Sequence, residues 1–107
     1  MKVELFPRAE ADIIRQFRYY LVDRDAPLTA FRFRDAVKQS LDRLKPSPRI
    51  GSLFRGSIPG LRSWPVKGFE MIRIYYIEVP DTLRVLRILH GRRNIRQILR
   101  QEKLGRE

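Results

Sequence analysis

Residues 61–91 read LRSWPVKGFEMIRIYYIEVPDTLRVLRILHG, and no other stretch restricts the fold so tightly. Runs rich in Val, Ile, Leu, Tyr and Trp are punctuated at Lys67-Gly68 and at Pro80-Asp81, a pattern that predicts strand, turn, strand, turn, strand. The middle run (71–79) and the last (83–90) are separated by so few residues that only an antiparallel hairpin can join them. The last run, Leu83-Arg84-Val85-Leu86-Arg87-Ile88-Leu89, is apolar on both alternating faces. A strand of that kind belongs inside a sheet, with material packed on each side.

Arg73 and Arg87 interrupt this pattern. Each lies mid-strand between aliphatic neighbours, and a guanidinium buried there without a partner costs several kcal/mol. If both point to one face, they line a wet, positive surface. Alternatively each head group reaches solvent or pairs with Glu70, Glu78 or Asp81.

The rest of the chain supplies helices. Residues 2–6 alternate polar and apolar, with Val3 and Leu5 on one side, and read as a short strand able to join the later sheet. Pro7 stops it and suits the first turn of a helix, where its missing N–H is no loss. Ala9, Ile13, Phe17, Tyr20 and Leu21 then recur at helical spacing, with Asp12, Arg15 and Arg18 on other faces, to about residue 22 or 24. After a break at 25–29, Ala30, Phe33, Val37, Leu41 and Leu44 form a second stripe, so an antiparallel helical hairpin is expected. Its outer face is basic, with Arg32, Arg34, Lys38, Arg43 and Lys45. The prolines at 46 and 48 end that helix. Residues up to 60 should be irregular, with a brief extended piece near 52–55. Asn94 is placed to cap a short helix running to about residue 101, with Ile95, Ile98 and Leu99 inward, and residues 102–107 are expected to fray.

These elements make one α+β domain over residues 1–107, in the order β-α-α-β-β-β plus a short C-terminal helix. The helical hairpin should cover one face of a mostly antiparallel sheet and leave the other partly open and basic. At 107 residues the chain is large enough for a modest core. No apolar run approaches the roughly 20 residues that a membrane span needs, and the start is broken by charge and proline before a signal peptide could form. A cytoplasmic location follows as the simplest expectation. The absence of Cys excludes disulfides and thiolate metal sites. With 23 Lys+Arg against 12 Asp+Glu the formal charge is +11, which favours polyanions or acidic proteins as partners.

An ordered set of motifs adds to this reading: Leu61-Arg62, Gly68-Phe69, Ile74-Tyr75-Tyr76 and Arg87-Ile88-Leu89-His90-Gly91-Arg92-Arg93. In that order they resemble the ParE branch of the RelE/ParE toxins of bacterial type II toxin–antitoxin systems, and the resemblance extends more loosely to the whole chain. It implies the small α+β fold just described, and with it the order of the strands in space. It also implies a toxin that binds DNA gyrase, traps it on cleaved DNA and is neutralised in a hetero-oligomer with a cognate antitoxin. The RelE branch, which cleaves mRNA on the ribosome, is the alternative that the same superfamily offers. A general basic nucleic-acid-binding module ranks third, since charge alone would not explain the ordered motifs.

Metal-free RNA cleavage needs a base for the 2′-hydroxyl, an acid for the leaving oxygen and cations for the phosphorane. Arg62, Lys67, Arg73, Arg87, His90 and Arg93 are the candidates for such a site. The resemblance implies that a RelE-type nuclease would add a Tyr, His or Glu near the end of the sheet or in the C-terminal segment; here His90 is the sole histidine, and after Gly91 there is no Tyr and no Glu before Glu102. That deficit favours the binding reading, with Arg73, Arg87, His90, Arg92 and Arg93 as candidate target contacts and with no cofactor or metal. For His90 the simpler reading is a strand-end residue hydrogen-bonded to its turn; for Gly68 and Gly91 it is turn glycines with positive φ. Trp64, Phe69, Tyr75 and Tyr76 read as core or sheet-face aromatics, with base stacking as the second choice.

Overall fold

The computed structural model describes residues 1–102, and the expectation of fraying at 103–107 lies outside the described residues. The chain opens with β1 (Lys2–Leu5) and turns at Pro7 into α1 (Pro7–Arg18). Here the structure departs from a plain helix: Tyr19–Asp23 form a π turn, in which the Arg24 N–H donates to the Tyr19 carbonyl at 3.0 Å. Asp25 follows at φ 48° and reverses the chain. The second helix, α2 (Pro27–Leu44), begins earlier than its apolar stripe because Pro27 is itself a competent first helical residue. All of the stripe, Ala30, Phe33, Val37, Leu41 and Leu44, is buried.

A loop then leads to the two-residue strand β2 (Ser52–Leu53), followed by β3 (Arg62–Val66), β4 (Phe69–Val79) and β5 (Thr82–His90). The five-stranded sheet has the order β1-β5-β4-β3-β2. β2 to β5 are antiparallel neighbours, while β1 runs parallel to β5 along its first half. A short helix, α3 (Ile95–Arg100), ends the described chain, and Asn94 caps it by accepting the Gln97 N–H at 3.3 Å.

Both faces of the sheet are covered. Against the helical hairpin lie Val66, Ile72, Ile74, Tyr76, Leu83, Val85 and Ile88. The expected open, basic second face is instead a second core, in which Leu61, Tyr75, Leu86 and Leu89 meet Ile58 from the loop and Ile95 and Leu99 from α3. The apolar positions on both faces of β5 require this, because a one-sided cover would leave Leu86 and Leu89 in water. Between the two cores β5 carries a bulge: Tyr75 is opposite Arg87 and Tyr76 is opposite Val85, so Leu86 is the additional residue.

The bulge explains an unexpected carboxylate. β1 pairs with β5 only as far as Leu5 and Val85, so β5 has no strand partner on that side beyond the bulge. Asp12 of α1 takes the partner's place. Its Oδ2 accepts the Ile88 N–H at 2.9 Å and Arg87 Nε at 2.8 Å; its Oδ1 accepts Arg87 Nη2 at 2.9 Å and Arg15 Nη1 at 3.2 Å. The polar position assigned to an outer face of α1 is thus 3% exposed and occupied by the fold's central acceptor. Arg87 pairs with this residue and not with Glu70, Glu78 or Asp81, and the Asp12 hydrogen bonds push its already high pKa higher. Glu102 closes the group from the C-terminal side: its carboxylate is 3.7 Å from Arg87 Nη1 and 3.9 Å from Arg8, with the side chain 5% exposed. Glu102 is thus packed against the fold, where the sequence suggested a loose end.

Removing one member of a buried pair strands the other charge, so Asp12→Ala or Arg87→Ala should each destabilise the fold by about 3–5 kcal/mol in urea unfolding. The double variant D12L/R87M, which replaces both charges with apolar side chains, should recover most of that loss except about 1 kcal/mol for the orphaned Ile88 N–H. Additive losses in the double variant would show that the pair is not coupled. Glu102 gives a pH signature: burial pushes its carboxyl above the ordinary range, against the opposing pull of Arg87 and Arg8. The folded chain therefore holds this proton more tightly than the unfolded one. The contribution of this group is full below the ordinary Glu pKa and is lost as pH rises through the folded value. Glu102→Gln should flatten that part of the curve of melting temperature against pH, and an unchanged curve would assign the slope elsewhere.

Candidate functional site

The residues singled out in the sequence do not converge on one centre. By register Arg73 and Arg87 start on the same face, since Arg73 pairs with Leu89 and Tyr75 with Arg87. The two arginines stand at opposite corners of a square completed by the buried pair Tyr75 and Leu89, and their head groups diverge. Arg73 turns towards β3, donating from Nε to Ser63 Oγ at 3.0 Å and from Nη2 to the Ser63 carbonyl at 3.4 Å. Arg87 turns the other way, towards α1, and is buried in the Asp12 pair. The shared wet surface does not form.

Arg62 is likewise engaged, with Nη1 on the Gly51 carbonyl at 2.8 Å, where it ties the loop before β2 to β3. Tyr76, its partner across the ladder, reinforces the same loop by donating to the Pro48 carbonyl at 2.6 Å and accepting the Gly51 N–H at 3.1 Å. Burial raises the phenol pKa of both Tyr75 and Tyr76, keeping these hydroxyls neutral. Lys67 sits exposed at the β3–β4 turn, its backbone N–H held by Ser40 Oγ at 3.1 Å.

His90 lies on the opposite face from Arg73. It pairs with Ile72, whose side chain belongs to the hairpin-side core, and there it borders two clefts that meet at Tyr20. One, of about 480 Å³, is lined by Gln16, Tyr19, Tyr20, Arg24, Ala26 and Thr29; the other runs along Phe69, Glu70 and Met71. His90 also accepts the Arg92 N–H at Nδ1, at 3.4 Å, and its carbonyl accepts the Arg93 N–H at 3.1 Å, so it does hold the turn. Gly68 has φ +83° as a turn glycine should, but Gly91 does not have positive φ. A Cβ there would make only ordinary contacts, 3.4 Å from the Met71 carbonyl oxygen and 3.9 Å from Arg73 Cδ, so neither φ nor space demands glycine at this position.

The fully exposed cations around this end of the sheet are different in kind. Arg92 and Arg93 occupy the turn after β5, and Arg96 and Arg100 follow on the outer side of α3, all exposed. Arg96 donates from Nε to the Arg55 carbonyl at 3.1 Å and lies 5.1 Å from the Phe54 ring centroid, which brings Arg55 into the same group. Composition showed the excess of arginine but not where it lies; the i, i+4 spacing of Arg96 and Arg100, each directly after an inward residue, Ile95 and Leu99, was the available signal. Such an arrangement can bind an extended anion. Among the described residues no imidazole stands with it, His90 being on the far face of the sheet. Among the described residues no group of His, Cys, Asp and Glu could hold a metal ion.

Exposure separates these roles in a stability series. Arg92→Ala and Arg93→Ala should change unfolding free energy by no more than about 0.5 kcal/mol, as ordinary surface substitutions do. Arg73→Ala should cost roughly 1 kcal/mol through the lost Ser63 bonds. Equal losses at all of these positions by urea titration would contradict the division into structural and free cations.

Comparison with known proteins bears on the whole of this surface. The family model described as "ParE toxin of type II toxin-antitoxin system, parDE" matches residues 3–95. Among solved structures, the fold resembles a chain from the "Chromosomal ParDE TA system from P. aeruginosa", with a TM-score of 0.67 and 16% identity over 84% of this chain and 95% of that one. No curated protein matches at the sequence level.

Proposed function

Since the chain belongs to the ParE toxin family of type II toxin–antitoxin systems, we propose that it poisons DNA gyrase by binding and that a cognate antitoxin neutralises it. The observation that favours binding over catalysis is the dispersal of the nuclease candidates. Arg62 and Arg87 are committed to the fold, while His90 and Arg73 lie on opposite sides of the sheet. A ribosome-dependent mRNA endonuclease would need an acid, a base and cations around one phosphate. The cations left free, Arg92 and Arg93 with their neighbours, suit a contact surface.

The antitoxin reading rests on a separate surface. The outer side of the helical hairpin exposes Ile14, Val22, Leu28 and Phe31, and a groove along α1 and the π turn is bordered by Ile14, Arg15, Arg18, Tyr19 and Val22. Apolar anchors flanked by arginines fit an amphipathic segment with acidic residues, which gains contact from the former and steering from the latter. The complex would be a hetero-oligomer. Among the described residues no helix is long and apolar enough to cross a membrane, and action on gyrase would take place in the cytoplasm.

The deciding experiment compares inhibition of purified gyrase supercoiling with mRNA cleavage on programmed ribosomes. Gyrase inhibition without cleavage is expected; cleaved message with unaffected gyrase would overturn the proposal in favour of the endonuclease. Within the binding reading, alanine at Arg92 or Arg93 should weaken inhibition in graded steps, each of roughly 0.5–3 kcal/mol in target affinity, whereas alanine at Arg73, held by Ser63, should act mainly through stability. A folded variant that binds its target fully yet is wholly inactive would reveal an enzyme.

A further inference from the structure

The arginines around α3 are not balanced. Arg55, Arg92, Arg93, Arg96 and Arg100 are exposed, and among the described residues none lies in an ion pair. Elsewhere carboxylates are interspersed among the cations, with Arg34, Lys38, Lys45, Arg49 and Arg84 each within 4.0 Å of one, although Arg18, Arg32 and Arg43 on the helices also lie in no ion pair among the described residues. Concentrating like charges in one small region raises the energy of the fold, so the group is placed for an outside anion.

Its setting is rigid. Ile95 and Leu99 pin α3 to the second core, Asn94 caps it, and Arg96 is fixed between the Arg55 carbonyl and the Phe54 ring. Arg92 and Arg93 are held by turn hydrogen bonds to His90, and Gly91 stands beside the stem of Arg73. The guanidiniums are therefore carried by ordered backbone, which reduces the entropy lost when they are engaged.

We infer that this face binds the phosphate backbone of a DNA duplex, so that the toxin contacts DNA as well as protein when it engages gyrase; the inference rests on the gyrase reading above and names the second component of its target. Two features select a polyphosphate over an acidic protein. The guanidiniums span the β5–α3 turn, α3 and the loop at Arg55, a distribution suited to successive phosphates and not to one carboxylate. The main apolar anchors that a protein partner would use, Ile14, Val22, Leu28 and Phe31, are on the helical hairpin, across the sheet from α3. No base-reading element is offered, so binding should be independent of sequence.

Because the whole chain carries +11, weak DNA binding alone proves nothing, and the test compares charge-matched variants. Affinity of the full chain for a 20-base-pair duplex of arbitrary sequence, about that length being enough to span the face, is measured by fluorescence anisotropy between 50 and 200 mM salt, values chosen from the usual working range. With about five phosphates neutralised, log K should fall against log salt with a slope near −4.5, an affinity loss of about 500-fold over that range. The triple change Arg92→Gln, Arg93→Gln, Arg100→Gln should reduce the slope to about −2, leaving a loss of roughly 10–20-fold. The control triple Arg18→Gln, Arg32→Gln, Arg43→Gln, an equal change of charge on arginines of α1 and α2 unpaired among the described residues, should keep the original slope. Equal effects of the two triples would overturn the inference, as bulk charge would then explain binding. It is equally overturned if the first triple leaves the DNA slope unchanged and weakens cognate antitoxin binding instead, which would assign the face to an acidic protein. Gyrase inhibition without this salt signature defeats the DNA contact alone; the signature without gyrase inhibition defeats the function and leaves the DNA face standing.

Discussion

The fold depends on one carboxylate. A strand inside a sheet needs partners on both edges, and β5 has a strand beside its first half only, because β1 ends where the chain must turn into α1 at Pro7. The exposed N–H of Ile88 would cost about 1–3 kcal/mol if buried unmade. Asp12 satisfies it, but a lone carboxylate at 3% exposure carries its own larger desolvation penalty. Arg87, redirected by the bulge, balances that charge with two parallel hydrogen bonds, the geometry for which a guanidinium is suited. Each feature compensates for the one before it: short strand, borrowed acceptor, paired arginine.

That chain of compensation explains which parts were legible in the sequence. Local periodicity gave β4 and β5 closely, and the second helical stripe is buried as read. It failed at Asp12, because an acidic residue next to Ile13 on an otherwise amphipathic helix looks solvated unless its partner is known. The partner is 75 residues away. No spacing rule connects positions that distant; only the parallel pairing of β1 with β5 brings α1 across the bulge. The missed π turn has a related cause, since one additional residue per turn at Tyr19–Asp23 leaves no mark in an apolar stripe that ends there.

The same limitation scattered the candidate site. Alternation leaves open whether Arg73 and Arg87, on different strands, share a face; the β4–β5 register puts them on one, but neither fixes where a long side chain directs its head group. Arg73 reaches outward across β4 to Ser63 and Arg87 outward across β5 to Asp12, because buried Tyr75 and Leu89 fill the ground between them. His90 falls on the far face through its pairing with Ile72. What reads as one cluster of functional residues along the chain is divided by the thickness of the sheet.

A consequence for function lies in how the arginines are shared out. Those that the strands carry inward, Arg62, Arg73 and Arg87, are all engaged by oxygens of the protein itself. Of those left without a carboxylate among the described residues, Arg18, Arg32 and Arg43 are spread over the helical hairpin, while Arg55, Arg92, Arg93, Arg96 and Arg100 are found around α3, where it covers the second core. Sheet residues are constrained by two packed faces, so a guanidinium there must be satisfied internally. A short helix lying over a core at the sheet's end has one face free and needs only Ile95 and Leu99 to hold it. Selection for a basic contact surface can therefore act on α3 and its flanking turns without disturbing the pair on which the fold depends. In a fold this small, satisfying the guanidiniums of the sheet internally and leaving the others on solvated surface is what allows so high a charge to coexist with a compact state.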